Sequence, residues 1–167
     1  MMKKAYLSIG SNLGDPLANC RRGIDALCED GQVVLAARSP FYRTQPVDYL
    51  DQDWFVNAAL LVETDLSPFE LLEKTQAVQR LMGRKSDTIR FGPRILDLDI
   101  IFYEDQRIDT PHLVVPHPRM HKRRFVLQPI CDIDPAIVHP VIGQTVRTIL
   151  NGLPTDNQDL IQCSSDF

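Results

Sequence analysis

Residues 54–72, WFVNAALLVETDLSPFELL, hold both signals that decide the fold. The alternating apolar positions from Trp54 to Val62 predict a strand over residues 54–64 with one buried face. Ser67-Pro68-Phe69-Glu70 then matches a capping box with proline at the first helical position. We therefore predict a strand followed directly by an amphipathic helix that ends at Gly83.

The sequence on either side supplies the other elements of one fold. Strands are predicted over residues 5–9 and 95–103, and a β-rich run over residues 33–44 is interrupted by Ser39-Pro40. Asp15 followed by Pro16 predicts the start of a helix between residues 9 and 33. The order β-α-β-β-α-β is typical of a ferredoxin-like α+β sandwich. In that fold we expect an antiparallel sheet with helices packed on one face, which leaves the other face for a ligand.

The C-terminal third shows weaker patterns. Short helices are predicted over residues 121–127 and 145–151. The tail from about residue 154 is polar, and we expect it to be loosely held. The predicted domain is nevertheless a single one that spans residues 1–167.

Composition limits the classes of function. The chain has 167 residues, of which 44% are hydrophobic and 24% charged, as in an ordinary globular domain. There is no long apolar run for a membrane span and no apolar region for a signal peptide. The net charge of −4 argues against a general nucleic-acid binder. The four cysteines form no C-x-x-C pair, so we expect reduced thiols in the cytoplasm.

Asp97 and Asp99 are the sharpest chemical feature, because they alternate with apolar residues in a predicted buried strand. The alternation places both carboxylates on one face, about 6.5–7 Å apart along the strand. A divalent cation between them would remove their mutual repulsion, and Mg²⁺ is often held by one or two carboxylates plus substrate phosphates. The alternatives are an exposed strand face, or carboxylates paired with Arg94 and its neighbours.

Two basic segments favour the metal interpretation. Residues 84–94 and 119–124 hold eight of the 18 lysines and arginines of an acidic chain. A basic cluster is usually a solvated face, but one of these runs directly into the carboxylate pair. Together they indicate a metal-bound polyphosphate, with arginines on the phosphate oxygens.

Three other features carry weaker signals. The glycine-containing segment 10–14 follows a strand and precedes a helix, but it lacks the lysine of a Walker loop, and a tight turn is the alternative. Phe55 and Asn57 point away from the apolar face of their strand and could stack on a flat ring and bind its edge. Packing under a loop is the other explanation for that pair. His117 lies between two prolines and is either structural, solvated or catalytic.

Residues 90–101, RFGPRILDLDII, closely resemble the signature of the 6-hydroxymethyl-7,8-dihydropterin pyrophosphokinase family. Shorter stretches fall in the order and spacing of the same family, and the resemblance extends to about residue 152; these stretches are residues 10–14, 41–44, 55–59, 115–118 and 123–125. The resemblance implies a ferredoxin-like fold, commonly monomeric. It also implies an enzyme that transfers the pyrophosphoryl group of ATP to the hydroxymethyl dihydropterin in folate biosynthesis and releases AMP.

The resemblance also implies roles for individual residues. Two Mg²⁺ ions would be held by Asp97 and Asp99, with ATP as co-substrate and no nucleic-acid or membrane partner. The residues implied as catalytic are Arg84, Arg94, Asp97 and Asp99. Those implied at the pterin are Thr44, Val47, Phe55, Asn57, Phe91 and Phe125. Those implied at ATP are Gln76, Arg84, Arg90, Arg94, Ile100, His117 and Arg123.

The chain departs from the family pattern at several of these sites. Gln45 stands for a proline in the loop on the pterin side, and Gln79 stands for a glutamate near ATP. His112 replaces an arginine, and Pro118 replaces a tyrosine beside His117. Phe55 and Phe91 replace a tyrosine and a tryptophan, and Ser86 stands where a second loop arginine is often present.

Two other classes of function fit parts of the sequence. A ferredoxin-like domain could hold single-stranded RNA with its basic segments and the exposed rings of Phe55 and Phe125. Asp97 and Asp99 would repel a phosphate backbone when no metal is bound, which argues against the RNA-binding hypothesis. A regulatory ligand-binding domain without turnover is the second alternative, and release of AMP would distinguish an enzyme from it.

Overall fold

The computed structural model describes residues 1–83 and 90–163. It contains eight strands, four α-helices and one short 3₁₀ helix over these residues. In chain order the elements are β1 (Lys3–Ser11), α1 (Pro16–Cys28), β2 (Val33–Arg38), β3 (Tyr42–Thr44), β4 (Phe55–Thr64), α2 (Pro68–Leu81), β5 (Asp97–Tyr103), β6 (Ile108–Asp109), β7 (Val114–Val115), the 3₁₀ helix (Met120–Lys122), α3 (Arg124–Ile133), α4 (Val146–Asn151) and β8 (Leu160–Gln162).

Six strands form the antiparallel sheet that the sequence predicts. The strand order is β5-β1-β4-β3-β8, and β2 pairs with the other half of β4. The break at Ser39-Pro40 lies where β2 ends and β3 begins, so these strands share one edge of β4. This is the order expected of a ferredoxin-like sandwich, with β5 at one edge.

The predicted helix starts are confirmed at atomic detail. Asp15 accepts the Ala18 N–H with its side chain and caps α1. Ser67 and Glu70 form the reciprocal bonds of a capping box at the start of α2. Both helices pack on one face of the sheet, over the even-numbered apolar residues of β4.

The prediction that helices cover only one face is wrong. Apolar residues of α3 and α4 bury part of the other face, against Tyr6, Ala59 and Phe102. The predicted short helix over residues 121–127 is a 3₁₀ turn followed by α3, which continues to Ile133 with Pro129 inside it. A proline removes one helical hydrogen bond, and the burial of the apolar side of α3 outweighs that loss.

The described part of the tail, up to residue 163, is more ordered than expected. Residues 160–162 form β8 and pair with β3 at the edge of the sheet. A strand of three residues has too little periodicity to be predicted from its own sequence.

A β-bulge separates the two ends of β5. Tyr6 pairs with Phe102 and Leu7 pairs with Ile100, so Ile101 has no partner on β1. As a result Asp97 and Asp99 share a sheet face with Phe102, although their numbers differ in parity. The freed carbonyl of Ile101 accepts the His117 N–H at 3.0 Å.

Among the described residues, no helix is long and apolar enough to cross a membrane.

Candidate functional site

Two depressions meet at the β5 edge of the sheet. The first, which we call the sheet pocket, lies on the part of the sheet face that α3 and α4 leave uncovered. Its walls include Thr44, Val47, Phe55, Asn57, Phe91, Asp97, Asp99, Arg123 and Phe125. The second, which we call the edge groove, is a cavity of about 810 Å³ whose lining includes Gln76, Gln79, Asp99, Ile100, His112, His117 and Pro118. Asp99 lines both.

Small residues of β1 form the floor of the sheet pocket. Gly10 pairs with Asn57 on one side and with Asp97 on the other. A Cβ atom at Gly10 would lie 2.3 Å from Asn57 Oδ1, so only glycine leaves room for the amide that lies across it. Ser8 occupies the equivalent position between Ala59 and Asp99.

Asn57 is buried, with 5% of its surface exposed. Its Nδ2 donates to Thr44 Oγ1 at 2.5 Å, and this bond fixes the plane of the amide. Phe55 is half-buried on the same face. The two residues lie in the wall of a pocket, as a ring-binding role requires.

Asp97 and Asp99 are both half-buried, as alternation predicts. Arg94 is buried, and its Nε lies 3.9 Å from Asp97 Oδ1. The ion pair with Arg94 that the sequence left open is therefore present for Asp97, and it lies behind the carboxylate. The described residues contain no group of three or more side chains suited to a metal. A cation here would need further oxygen ligands from a substrate.

His117 lies at the boundary of the edge groove. Its Nδ1 accepts the Arg119 N–H at 3.2 Å. Burial, together with the nearby charges of Arg123 and Arg119, lowers its pKa to about 4. The ring is therefore neutral at pH 7, and Nε2 carries the proton as a hydrogen-bond donor.

Arginines surround Phe91 at the rim of the sheet pocket. The guanidinium carbons of Arg90, Arg119 and Arg123 lie 4.7, 4.8 and 5.6 Å from the centre of its ring. Arg123 also forms an ion pair with Asp48, with 3.0 Å between Nη2 and Oδ2. These contacts place three cations beside the pocket, where they can meet the charge of a polyphosphate.

Most of the predicted residues come together in the two depressions. The exceptions are Arg90, which contacts the Phe91 ring, Arg94, which lies behind Asp97, and Arg84, which falls outside the described residues. Arg123, predicted at ATP, lies in the wall of the sheet pocket.

Sequence reasoning missed a buried link between three loops. Asn12 accepts the Arg94 N–H at 2.8 Å and donates to Gln52 Oε1 and to the Asp53 carbonyl, both at 2.9 Å. Gln52 in turn donates to the Phe91 carbonyl at 2.9 Å. Segment 10–14 is thus a structural connector, and Gly10 belongs to β1 rather than to a turn. The only sequence signal was the polar pair at Ser11 and Asn12.

Gln79 shows how a departure from the family pattern is accommodated. It is buried, and its Nε2 donates to the Thr75 and Leu98 carbonyls at 3.1 and 3.2 Å. A carboxylate could not donate these bonds. The amide therefore ties α2 to β5 in the wall of the edge groove.

Comparison with known proteins gives the family. The model of the family described as 7,8-dihydro-6-hydroxymethylpterin-pyrophosphokinase (HPPK) matches residues 6–135. The chain belongs to this family.

Two bacterial relatives match this chain along most of their own length. The 2-amino-4-hydroxy-6-hydroxymethyldihydropteridine pyrophosphokinase of Bacillus subtilis is 43% identical over 129 residues, which is 77% of each chain. That of Methylorubrum extorquens is 40% identical over 149 residues, 89% of this chain and 92% of the relative. A crystal structure of Plasmodium falciparum HPPK-DHPS with pteroate matches 90% of this chain and 42% of its own, with a TM-score of 0.73 at 16% identity. That last likeness concerns the fold.

Proposed function

We propose that this HPPK transfers the pyrophosphoryl group of ATP to the hydroxymethyl group of 6-hydroxymethyl-7,8-dihydropterin and releases AMP. The position of Asp99, in the wall of both depressions, carries this proposal. A transfer between two small molecules needs a pocket for each and a place where their reacting ends meet. The names of the relatives above supply the substrate class.

The pterin fits the sheet pocket. Phe55 and Phe125 offer ring faces in its walls, and the Asn57 amide offers a donor and an acceptor in one plane. Thr44 and Val47 line the same wall, and Phe91 lies at the rim beside the arginines. This arrangement stacks the bicyclic ring over Gly10 and Ser8 and directs its hydroxymethyl group toward the carboxylates.

ATP fits the edge groove. Gln76 and Ile100 line it beside His117, whose neutral ring can donate a hydrogen bond to a phosphate oxygen without titrating near pH 7. Arg123 lies in the wall of the sheet pocket, and we propose that its guanidinium reaches the phosphates from that side. Arg94 behind Asp97, and Arg84 outside the described residues, are proposed to balance the remaining phosphate charge.

Asp97 and Asp99 suit two shared Mg²⁺ ions. Two half-buried carboxylates on one strand face provide hard oxygen ligands, and the phosphates would complete the coordination. Bound Mg²⁺ would neutralise the charge on the phosphate oxygens. The residues of the two depressions would hold the hydroxyl oxygen in line with the β-phosphorus. The new P–O bond would form as the bond to the α,β-bridging oxygen breaks, AMP would leave with that oxygen, and the hydroxyl proton would pass to water. We further propose a monomeric, single-domain protein of the cytoplasm, in keeping with the spacing of its four cysteines, which form no C-x-x-C pair.

The test is incubation with MgCl₂, ATP and the hydroxymethyl dihydropterin, with the products measured by mass spectrometry. We expect equal amounts of AMP and pyrophosphorylated pterin, and no AMP when the pterin is left out. AMP release that does not depend on the pterin would contradict the proposal. Pterin binding without turnover would favour a regulatory domain. RNA binding that weakens steeply with salt, again without turnover, would favour the RNA-binding alternative.

A further inference from the structure

The polar segment after α4 contacts two walls of the sheet pocket. It ends in β8, and its residues Gln158 and Asp159, which we call the C-terminal clamp, lie directly before that strand. The clamp lies beyond residue 135, where the match to the family model ends. The family match therefore assigns no role to the clamp, and its contacts in this chain indicate one.

Gln158 holds the backbone on both sides of Arg123. Its Oε1 accepts the Arg124 N–H at 3.0 Å, and its Nε2 donates to the Lys122 carbonyl at 3.1 Å. Arg123 is the N-cap residue of α3, and its own side chain makes no capping hydrogen bond. The first N–H groups of a helix need an acceptor from outside the helix, and Gln158 supplies one. It thereby orients the residue pair Arg123 and Phe125 at the pocket.

Asp159 holds the opposite wall. Its N–H donates to Gln45 Oε1 at 3.1 Å, and its carbonyl accepts the Gln45 N–H at 2.9 Å. Gln45 begins the loop that brings Val47 and Asp48 to the sheet pocket. A proline, which the family pattern has at this position, could make neither bond, because it lacks an N–H and an amide side chain.

The two walls also meet directly through the Arg123–Asp48 ion pair. That pair is partly exposed, and exposed pairs hold geometry weakly. The four hydrogen bonds of the clamp set the two backbones that carry the pair. Without them both walls would lose order, and pterin binding would have to restore it.

We propose that Gln158 and Asp159 are positioning residues that preorganise the pterin pocket through Arg123 and Gln45. The proposal rests on the function proposed above, since it assigns the sheet pocket to the pterin. The clamp contacts neither the edge groove nor the carboxylates, so we expect its main effect on the pterin and only a smaller one on ATP, through Arg123.

The experiment compares Gln158→Ala and Gln45→Ala with wild type and with Gln162→Ala. Gln162 is an exposed glutamine on β8 and serves as the matched control. We expect Gln158→Ala and Gln45→Ala, which we call the clamp variants, each to raise the KM for the pterin about fivefold, because each loses side-chain hydrogen bonds. The KM for ATP should rise clearly less than that for the pterin, the kcat and the Tm should remain close to wild type, and Gln162→Ala should change none of them. Equilibrium dialysis of the pterin without ATP should show the same loss of affinity.

A normal pterin affinity in both clamp variants, in an enzyme whose wild type turns over, would overturn the clamp alone. Equal weakening of pterin and ATP, or a matching fall in Tm, would also overturn it, because it would show general loosening. A wild type that neither binds nor pyrophosphorylates the pterin would overturn the proposed function, and the clamp with it.

Discussion

One face of the sheet has a covered half and an open half, and they differ mainly in the size of the side chains on β1. Tyr6 lies in the covered half, where it packs against Phe102 with 6.2 Å between ring centres and beneath α3 and α4. Ser8 and Gly10 continue the same row in the open half, where they line the sheet pocket. Replacing bulk by small residues along one strand thus changes a core surface into the floor of a pocket.

The two halves also use their polar groups differently. In the covered half the Tyr42 hydroxyl donates to the Asp132 carboxylate on α3, and burial together with that contact raises the pKa of Tyr42. In the open half Asp97, Asp99 and Asn57 face space that a ligand can fill. The covered half should therefore report on stability when it is mutated, and the open half on binding and turnover.

The largest effect is expected in the covered half. Phe102 is 1% exposed, so Phe102→Ala should lower the free energy of unfolding by about 3–5 kcal/mol. Phe69→Ala, at a ring that is 43% exposed on α2, is the matched control and should cost far less. Chemical denaturation measures both. If Phe102→Ala changed the pterin KM more than the stability, the division into two halves would fail.

The carboxylates should show the reverse pattern. Asp97→Ala and Asp99→Ala should each lower single-turnover rates about a hundredfold or more, at least about 2.7 kcal/mol of transition-state stabilisation. The fold should persist, because the opposite face of β5 carries the core residues. The rate is measured against Mg²⁺ concentration, with Asp105→Ala, an exposed acid in the following turn, as control. Near-normal rates at saturating substrate would remove the carboxylates from the mechanism.

A single methyl group can test the open floor. Gly10→Ala should displace the Asn57 amide, since the new Cβ would lie 2.3 Å from Oδ1. We expect pterin affinity to fall by about 1–3 kcal/mol, the usual range for overpacking, while ATP affinity stays close to wild type. Gly152→Ala is the control, because its nearest neighbour would be 3.5 Å away. Unchanged pterin affinity would show that the floor does not bind the ring.

The smallest effect concerns His117, at the boundary between the halves. The pKa of its ring is about 4 in the folded protein, against the ordinary value of 6.5 that we take for the unfolded chain. Below about pH 6.5 the unfolded chain takes up a proton that the folded chain refuses, so stability falls between pH 6.5 and 4. Wild type should lose about 1.5 kcal/mol more than His117→Asn from pH 6.5 to 5. Parallel curves for the two proteins would contradict the lowered pKa.

The sequence predicted what depends on local pattern. Alternation in β4 and the capping box of α2 gave the correct elements, and alternation in β5 placed Asp97 and Asp99 on one face. The family resemblance added residues that no spacing could assign, and the structure brings most of them to two adjacent depressions. The resemblance implied Arg123 at ATP and did not predict that it lies in the wall of the sheet pocket.

What the sequence missed depends on neighbours distant in the chain. The sequence predicted a helix that ends at residue 127, and burial against the sheet explains why α3 continues through Pro129 to Ile133. The sequence predicted a turn at Gly10, but this residue lies in β1, where the amide of Asn57 lies across it. The bonds of Asn12, Gln52 and Gln158 join segments 34 or more positions apart, and polar residues in loops show no periodicity that would predict them.

Because of the bulge at Ile101, β5 cannot gain or lose a residue without misplacing the side chains at one of its ends. The extra residue lets one strand carry carboxylates toward a ligand at one end and an aromatic ring toward α3 at the other. Its carbonyl also anchors the backbone of His117. Removing a single residue between Asp99 and Phe102 would rotate one end of the strand by half a turn, turning either the acids or the ring to the wrong side. Substitutions in this strand should therefore be tolerated far better than the insertion or deletion of a single residue.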